Sequence, residues 1–220
     1  MTRLEDVWAA LATVRDPEVD RPITELGFVA SVTEHDDGVH IQMRLPTYFC
    51  APNFTYLMMD DARAAASRVA GAVHVELADH FESRRLGNGV GTGFAATFGA
   101  QADGELDAMR DRFRRKTFLI RQELLCRELE VADDRLPSLV VGDLPRSEAN
   151  RDYLRIRDEL GFSCAYSAPF LLAADGRPVL PEAVDRHRKA ARVMALSYET
   201  NGAMCTALLE ARYPTTEGAA

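Results

Sequence analysis

Cys50, in Tyr48-Phe49-Cys50-Ala51-Pro52, stands just before a stretch with helical periodicity. Unpaired N–H groups and the helix dipole favour an anion at such a place, so the thiol there tends toward thiolate, which is both nucleophile and soft metal ligand. Two other stretches carry groups that could join it: Asp16 and Glu18 around Pro17, and the pair Asp79-His80. Thiolate, carboxylate and imidazole together make a ligand set for iron or zinc. Taken instead as a thiol enzyme, the same residues make Cys50 the nucleophile and His80 its base. Without chemistry, Cys50 is a small buried apolar residue, and Asp16 and Asp79 merely cap turns. Spacing alone leaves these readings open.

The elements that must bring these groups together are legible over the first 80 or so residues. Leu4, Val7, Trp8, Leu11 and Val14 recur at three- and four-residue spacings, which predicts an amphipathic helix over 3–15 that stops at Asp16-Pro17. Phe28, Ala30 and Val32 alternate with Val29, Ser31 and Thr33. After the turn-forming run Glu34–Gly38, Val39, Ile41, Met43 and Leu45 alternate with His40, Gln42 and Arg44, so the two runs predict a β-hairpin with one buried face. Pro52 suits a first helical turn; Phe54, Leu57, Met58, Ala62, Ala65 and Val69 continue the period until Gly71, and Val73, Val75 and Leu77 form a third strand. The expected fold is α+β, a small α-β-β-α-β domain over residues 1–83. A β-α-β crossover makes its strands parallel, so Cys50 and Asp79-His80 leave the sheet at one edge. The loop holding Asp16 and Glu18 enters the antiparallel neighbour at that same edge, which is where open α/β sheets usually bind ligands.

The rest of the chain is a helix-rich extension. Residues 84–104 contain Gly87, Gly89, Gly91, Gly93 and Gly99 among small and polar residues and read as a linker, with Phe94 and Phe98 as its anchors. Helices are expected over 105–129, 150–160 and 182–213, with short strands at 139–141 and 170–172, in a C-terminal domain spanning 105–220. Cys126, Cys164 and Cys205 form no Cys-x-x-Cys pair. Glu123 with Cys126, and Glu199 with Cys205 and His187, could build a second metal site, although free cysteine most often packs in cores. His40 and His74 fall on the polar faces of their strands and read as surface histidines. No nucleotide P-loop, nucleophile elbow or His-Glu-x-x-His helix occurs.

Composition narrows the function classes. With 47% apolar and 27% charged residues the chain can fill a core, and its net charge of −8 repels phosphate backbones and anionic lipid, so neither nucleic acid nor membrane is expected as a partner. The first residues carry acids where a secretion signal needs a basic and then apolar run, so a cytoplasmic location with reduced cysteines is expected. The cluster Arg110–Lys116 reads as the solvated face of a helix, or as a docking face for an acidic partner.

Over residues 1 to 80 the chain resembles a known family. Val14-Arg15-Asp16-Pro17-Glu18, then Ile23-Thr24-Glu25-Leu26-Gly27-Phe28-Val29, then a strand running into Cys50 and a following Pro52, then Val73–Leu77, are similar to the small iron–sulfur assembly domain shared by bacterial SufT and PaaD proteins and by eukaryotic cytosolic iron–sulfur targeting factors. The resemblance implies that Cys50 is the reactive, metal-associated residue and that Asp16 and Glu18 belong to the motif. It departs from the family in placing Ala51 between the cysteine and the proline, and in its long extension. What it implies is a non-enzymatic maturation factor that holds iron or an iron–sulfur cluster transiently through Cys50, Asp16, Glu18, Asp79 and His80. The expected partner is a client metalloprotein, a multicomponent monooxygenase component among the candidates. The exposed strand edge of so small a sheet also makes a homodimer an expectation.

Overall fold

The computed structural model describes residues 3–99 and 106–214 of the 220. Its elements follow the chain as α1 (Arg3–Leu11), β1 (Val29–His35), β2 (Gly38–Met43), α2 (Pro52–Ala70), β3 (Val73–Leu77), α3 (Ser83–Gly89), α4 (Phe94–Phe98), α5 (Leu106–Glu128), α6 (Glu148–Glu159) and α7 (Val184–Arg212). The chain divides into two units, residues 1–108 with 201–220, and residues 109–200. No described helix is long and apolar enough to cross a membrane.

In the first unit the predicted α-β-β-α-β order is present. β1 and β2 are antiparallel, β2 and β3 parallel, and the sheet order is β1-β2-β3. Strict alternation sets the register: Val39, Ile41 and Met43 are fully buried, whereas His40 and Gln42 between them are not. α1 and α2 pack together, and α2 also packs on β2 and β3, closing the core with Val7, Leu11, Met59, Ala62 and Ala66. Burying side chains such as Val7, Leu11 and Met59 contributes roughly 1.5–3 kcal/mol each and is what holds so small a sheet. α1 stops at Leu11, short of the expected residue 15, because Ile23 N–H donates to the Val14 carbonyl (2.9 Å) and Arg15 bridges to Pro22, which pull the chain off the helix axis. α2 ends at Ala70, followed by Gly71 at φ +77°.

The glycine-rich stretch differs from the expected linker. Its described part forms α3 and α4, with Leu86, Phe94 and Phe98 buried. Tyr56 of α2 makes edge contacts with both phenylalanine rings, at 5.5 and 5.7 Å between centroids, and its hydroxyl donates to the Gly89 carbonyl (3.2 Å). Two aromatic anchors outweigh the low helix propensity of glycine here. Residues 100–104 of that stretch lie outside the described residues.

The second unit is built on α5, α6 and the first part of α7. Phe118, Leu125, Tyr153, Ile156 and Phe170 form its core. Gln122, Tyr153 and Arg157 inside it are paired. Gln122 behaves like a strand neighbour, donating to the Leu172 carbonyl (3.0 Å) and accepting from the Leu172 N–H (2.9 Å). Arg157 donates to the Tyr153 hydroxyl (2.5 Å), which donates to the Phe170 carbonyl (2.7 Å). The two expected short strands are single bridges only, Val140 to Pro169 and Leu172 to Pro178; proline has no N–H with which to extend a ladder.

Candidate metal centre

β2 and β3 leave the sheet side by side, as parallel pairing requires, and the ladder runs on through Ala78 N–H donating to the Met43 carbonyl (2.8 Å). Buried Leu45 and Pro46 then turn the chain into the segment that carries Cys50. Thr47 Oγ1 lies 3.3 Å from Cys50 Sγ and accepts from the Phe49 N–H (3.2 Å), so a short hydroxyl-closed turn fixes the thiol just ahead of α2. Cys50 is half-buried. Around it stand three exposed aromatic residues, Tyr48, Phe49 and Phe81. Their rings touch one another, Tyr48 with Phe49 at 5.0 Å and Phe49 with Phe81 at 5.8 Å.

His80 is buried and reaches Cys50, but through the backbone. The Glu82 N–H donates to His80 Nδ1 (3.1 Å), which places the ring proton on Nε2, and Nε2–H donates to the Cys50 carbonyl (2.8 Å). Both ring nitrogens are therefore occupied. His80 buttresses the Cys50 turn; it offers no lone pair to a metal, and its Nε2 faces the Cys50 carbonyl and not the sulfur. Asp79, in left-handed backbone at φ +52°, is held by Arg212, whose Nη2 donates both to its carboxylate and to its carbonyl (2.6 Å). Asp79 is thus an ion-pair partner at this edge.

Asp16 closes the Asp-Pro-Glu loop, as its Oδ1 accepts from the N–H groups of Glu18 (2.8 Å) and Val19 (2.9 Å). Burial raises its pKa despite those two bonds, and the neighbouring charges of Glu18 and Asp20 raise it further.

The sequence reading grouped Cys205 with Glu199 and His187, whereas the structure carries it toward the Cys50 edge. On α7 an added Cβ at Gly202 would sit 3.7 Å from Val19 Cγ1, Leu209 Cδ2 approaches Gly27, and Arg212 donates to the Leu45 carbonyl (3.2 Å). Cys205 is three residues after Gly202 and four before Leu209, hence on the same helix face. It is half-buried, and burial pushes its thiol up to about 11, with the charges of Asp16, Cys50 and Glu18 adding to the shift. α7 therefore carries a second thiol toward Cys50 and the acidic loop. The only hint in the sequence is a glycine inside a helix, a sign of close packing that does not name its partner.

The other candidates resolve differently. Cys126 lies in the core of the second unit, its thiol pushed up to about 12 by burial, and Glu123 beside it is bound bidentately by Arg188 (2.9 Å to each oxygen). Cys164 is exposed. Among the described residues no three of Cys50, Asp16, Glu18, Asp79 and His80 bring ligand atoms within 4.8 Å of one another, whereas Asp37, His40 and His74 do. As a donor set for iron, what remains at the Cys50 edge is two thiols and two carboxylates. That fits iron chemically but as an open arrangement and not a closed cage.

Residues 4–77, about a third of the chain, match the family model described as iron–sulfur cluster assembly protein. No curated protein and no solved structure matches the chain. The matched segment begins in α1 and ends with β3, so it contains the sheet, the Asp-Pro-Glu loop and Cys50. Residues 4–77 are thus similar to an iron–sulfur cluster assembly domain, and α3 to α7 lie outside the match.

Proposed function

We propose that this protein is a non-enzymatic maturation factor of the cytoplasm that carries iron or an iron–sulfur intermediate as cargo at Cys50 and delivers it to a client metalloprotein. The observation that carries this reading is the pose of Cys50: a half-buried thiol in the loop between β2 and α2, rimmed by the exposed rings of Tyr48, Phe49 and Phe81. Contiguous exposed aromatics of this kind suit a protein partner, where Tyr and Phe supply contact area at small entropic cost. Few thiolates suit a carrier, because a four-cysteine site is hard to unload. Cys205, Asp16 and Glu18 are the groups placed to help hold the cargo, and Asp79 and His80 hold the turns that present it. A multicomponent monooxygenase component is the client class that the family resemblance favours.

Ferrous iron titrated anaerobically into the purified protein tests this directly. Wild type is expected to bind iron and to support activation of an apo client, and Cys50→Ala to lose both by at least tenfold. Equal binding and equal client activation by Cys50→Ala would show the mechanism to be wrong. Co-purification of a client with metal-free Cys50→Ala would instead favour a pure adaptor.

A further inference from the structure

The opposite end of the same sheet carries a second constellation. His40 and His74 are direct partners in the parallel β2–β3 ladder, with ring centroids 4.7 Å apart, on the strand face away from buried Val39 and Ile41. Asp37, in the β1–β2 turn, faces both. Its Oδ1 accepts from His40 Nε2 at 2.9 Å, and its Oδ2 lies 3.8 Å from His74 Nε2. His35, on β1, packs on His40 at 4.5 Å. One ligand atom from each of Asp37, His40 and His74 lies within 4.8 Å of the others.

We infer that Asp37, His40 and His74 form a binding site for a divalent first-row transition cation, separate from the Cys50 edge. Ligands about 2.1 Å from one ion sit roughly 3–3.5 Å apart, so the present spacing closes with small side-chain rotations. Two features favour an ion over a plain hydrogen-bonded triad. The turn segment Glu34-His35-Asp36-Asp37 is acidic and draws cations, and β2 and β3 hold the two imidazoles in register without help from a metal. The histidines also line a cleft of about 480 Å³ with Arg63, Glu76 and Arg84, which leaves room for water or a small anion in the ion's open positions. Two imidazoles and one carboxylate is the open donor set that suits zinc, iron and cobalt, with no thiolate in it. From His40 to Leu45 the strand rises about 17 Å, so this ion and the cargo at Cys50 do not share ligands. On loading, each imidazole binds through Nε2 as a neutral ring, and the proton that Nε2 now turns toward Asp37 (its carboxylate for His40, its carbonyl at 3.3 Å for His74) moves through water to Nδ1.

The test uses the full chain with its accessible cysteines alkylated by iodoacetamide, titrated with cobalt(II) at pH 7.5. One equivalent is expected to bind, giving weak visible d–d bands without thiolate-to-cobalt charge transfer and raising the melting temperature. His40→Ala/His74→Ala should weaken binding at least tenfold, and Asp37→Asn should weaken it with the histidines intact. Cys50→Ala, without alkylation, should keep the site unchanged, which separates its failure from that of the cargo reading. Absence of cobalt uptake by the alkylated wild type would overturn the proposal, as would uptake that is insensitive to the His40/His74 and Asp37 substitutions.

Discussion

Asp16 shows how one side chain serves structure at a cost in electrostatics. Its carboxylate closes the Asp-Pro-Glu loop through two backbone N–H groups, while burial raises its pKa above the value in an unfolded chain. A carboxylate raised in this way favours folding while protonated, and that contribution is lost as the pH rises through the folded value. At neutral pH the buried charge therefore opposes folding. Asp16→Asn keeps an Oδ1 acceptor for Glu18 and Val19 and removes the charge. It should raise the melting temperature by about 2–4 °C at pH 7, and the gain should shrink as the pH falls and Asp16 takes up its proton. The same variant removes a negative charge near Cys205, so alkylation of that thiol at pH 8.5 should be faster than in wild type; an unchanged rate would place the two groups farther apart than described here. His80 makes the complementary point. An imidazole next to a reactive cysteine in sequence logic looks like a base or a ligand, but both its nitrogens are committed to backbone groups.

At the scale of elements, the hairpin turn and the end of α7 decide how the two edges of the sheet are presented. Gly38 begins β2 at φ +136°, and a Cβ there would lie 2.6 Å from the Ala72 carbonyl oxygen, which accepts from the Val39 N–H at 3.0 Å. Gly38→Ala should therefore destabilise the fold by about 1–3 kcal/mol in chemical denaturation. It should also reduce cobalt uptake at Asp37, His40 and His74, because the turn cannot keep its place. At the other edge, Leu209 is buried against Gly27, and Arg212 ties the Asp79 turn to the Leu45 carbonyl. Leu209→Ala should cost about 2–4 kcal/mol and speed alkylation of both Cys50 and Cys205. Loss of stability without a change in thiol reactivity would mean that α7 braces the loops without covering the thiols.

At the scale of the whole molecule, the sheet-bearing N-terminal domain is the part whose elements the sequence alone determined. Alternation in Val39–Leu45 and in Val73–Leu77, the three-four periodicity after Pro52 and the proline stop at Asp16-Pro17 set strand faces, helix limits and the convergence of Cys50 with Asp79-His80 at one edge. Those features are written in nearest-neighbour spacing, because side-chain direction follows backbone period. What tertiary structure decided lies at long range. Glu123, three residues from Cys126 and so a candidate ligand, is taken by Arg188, 65 residues away. The glycine-rich stretch became α3 and α4 because Tyr56 of α2 offered a surface for Phe94 and Phe98. Residues 201–214, expected within the C-terminal domain, group with the N-terminal domain and bring Cys205 to its acidic loop. His40 and His74, singly unremarkable on polar strand faces, meet because parallel pairing sets them in register and the hairpin turn adds Asp37. Periodicity tells which face of an element is buried; only the folded chain decides which distant residue is buried against it.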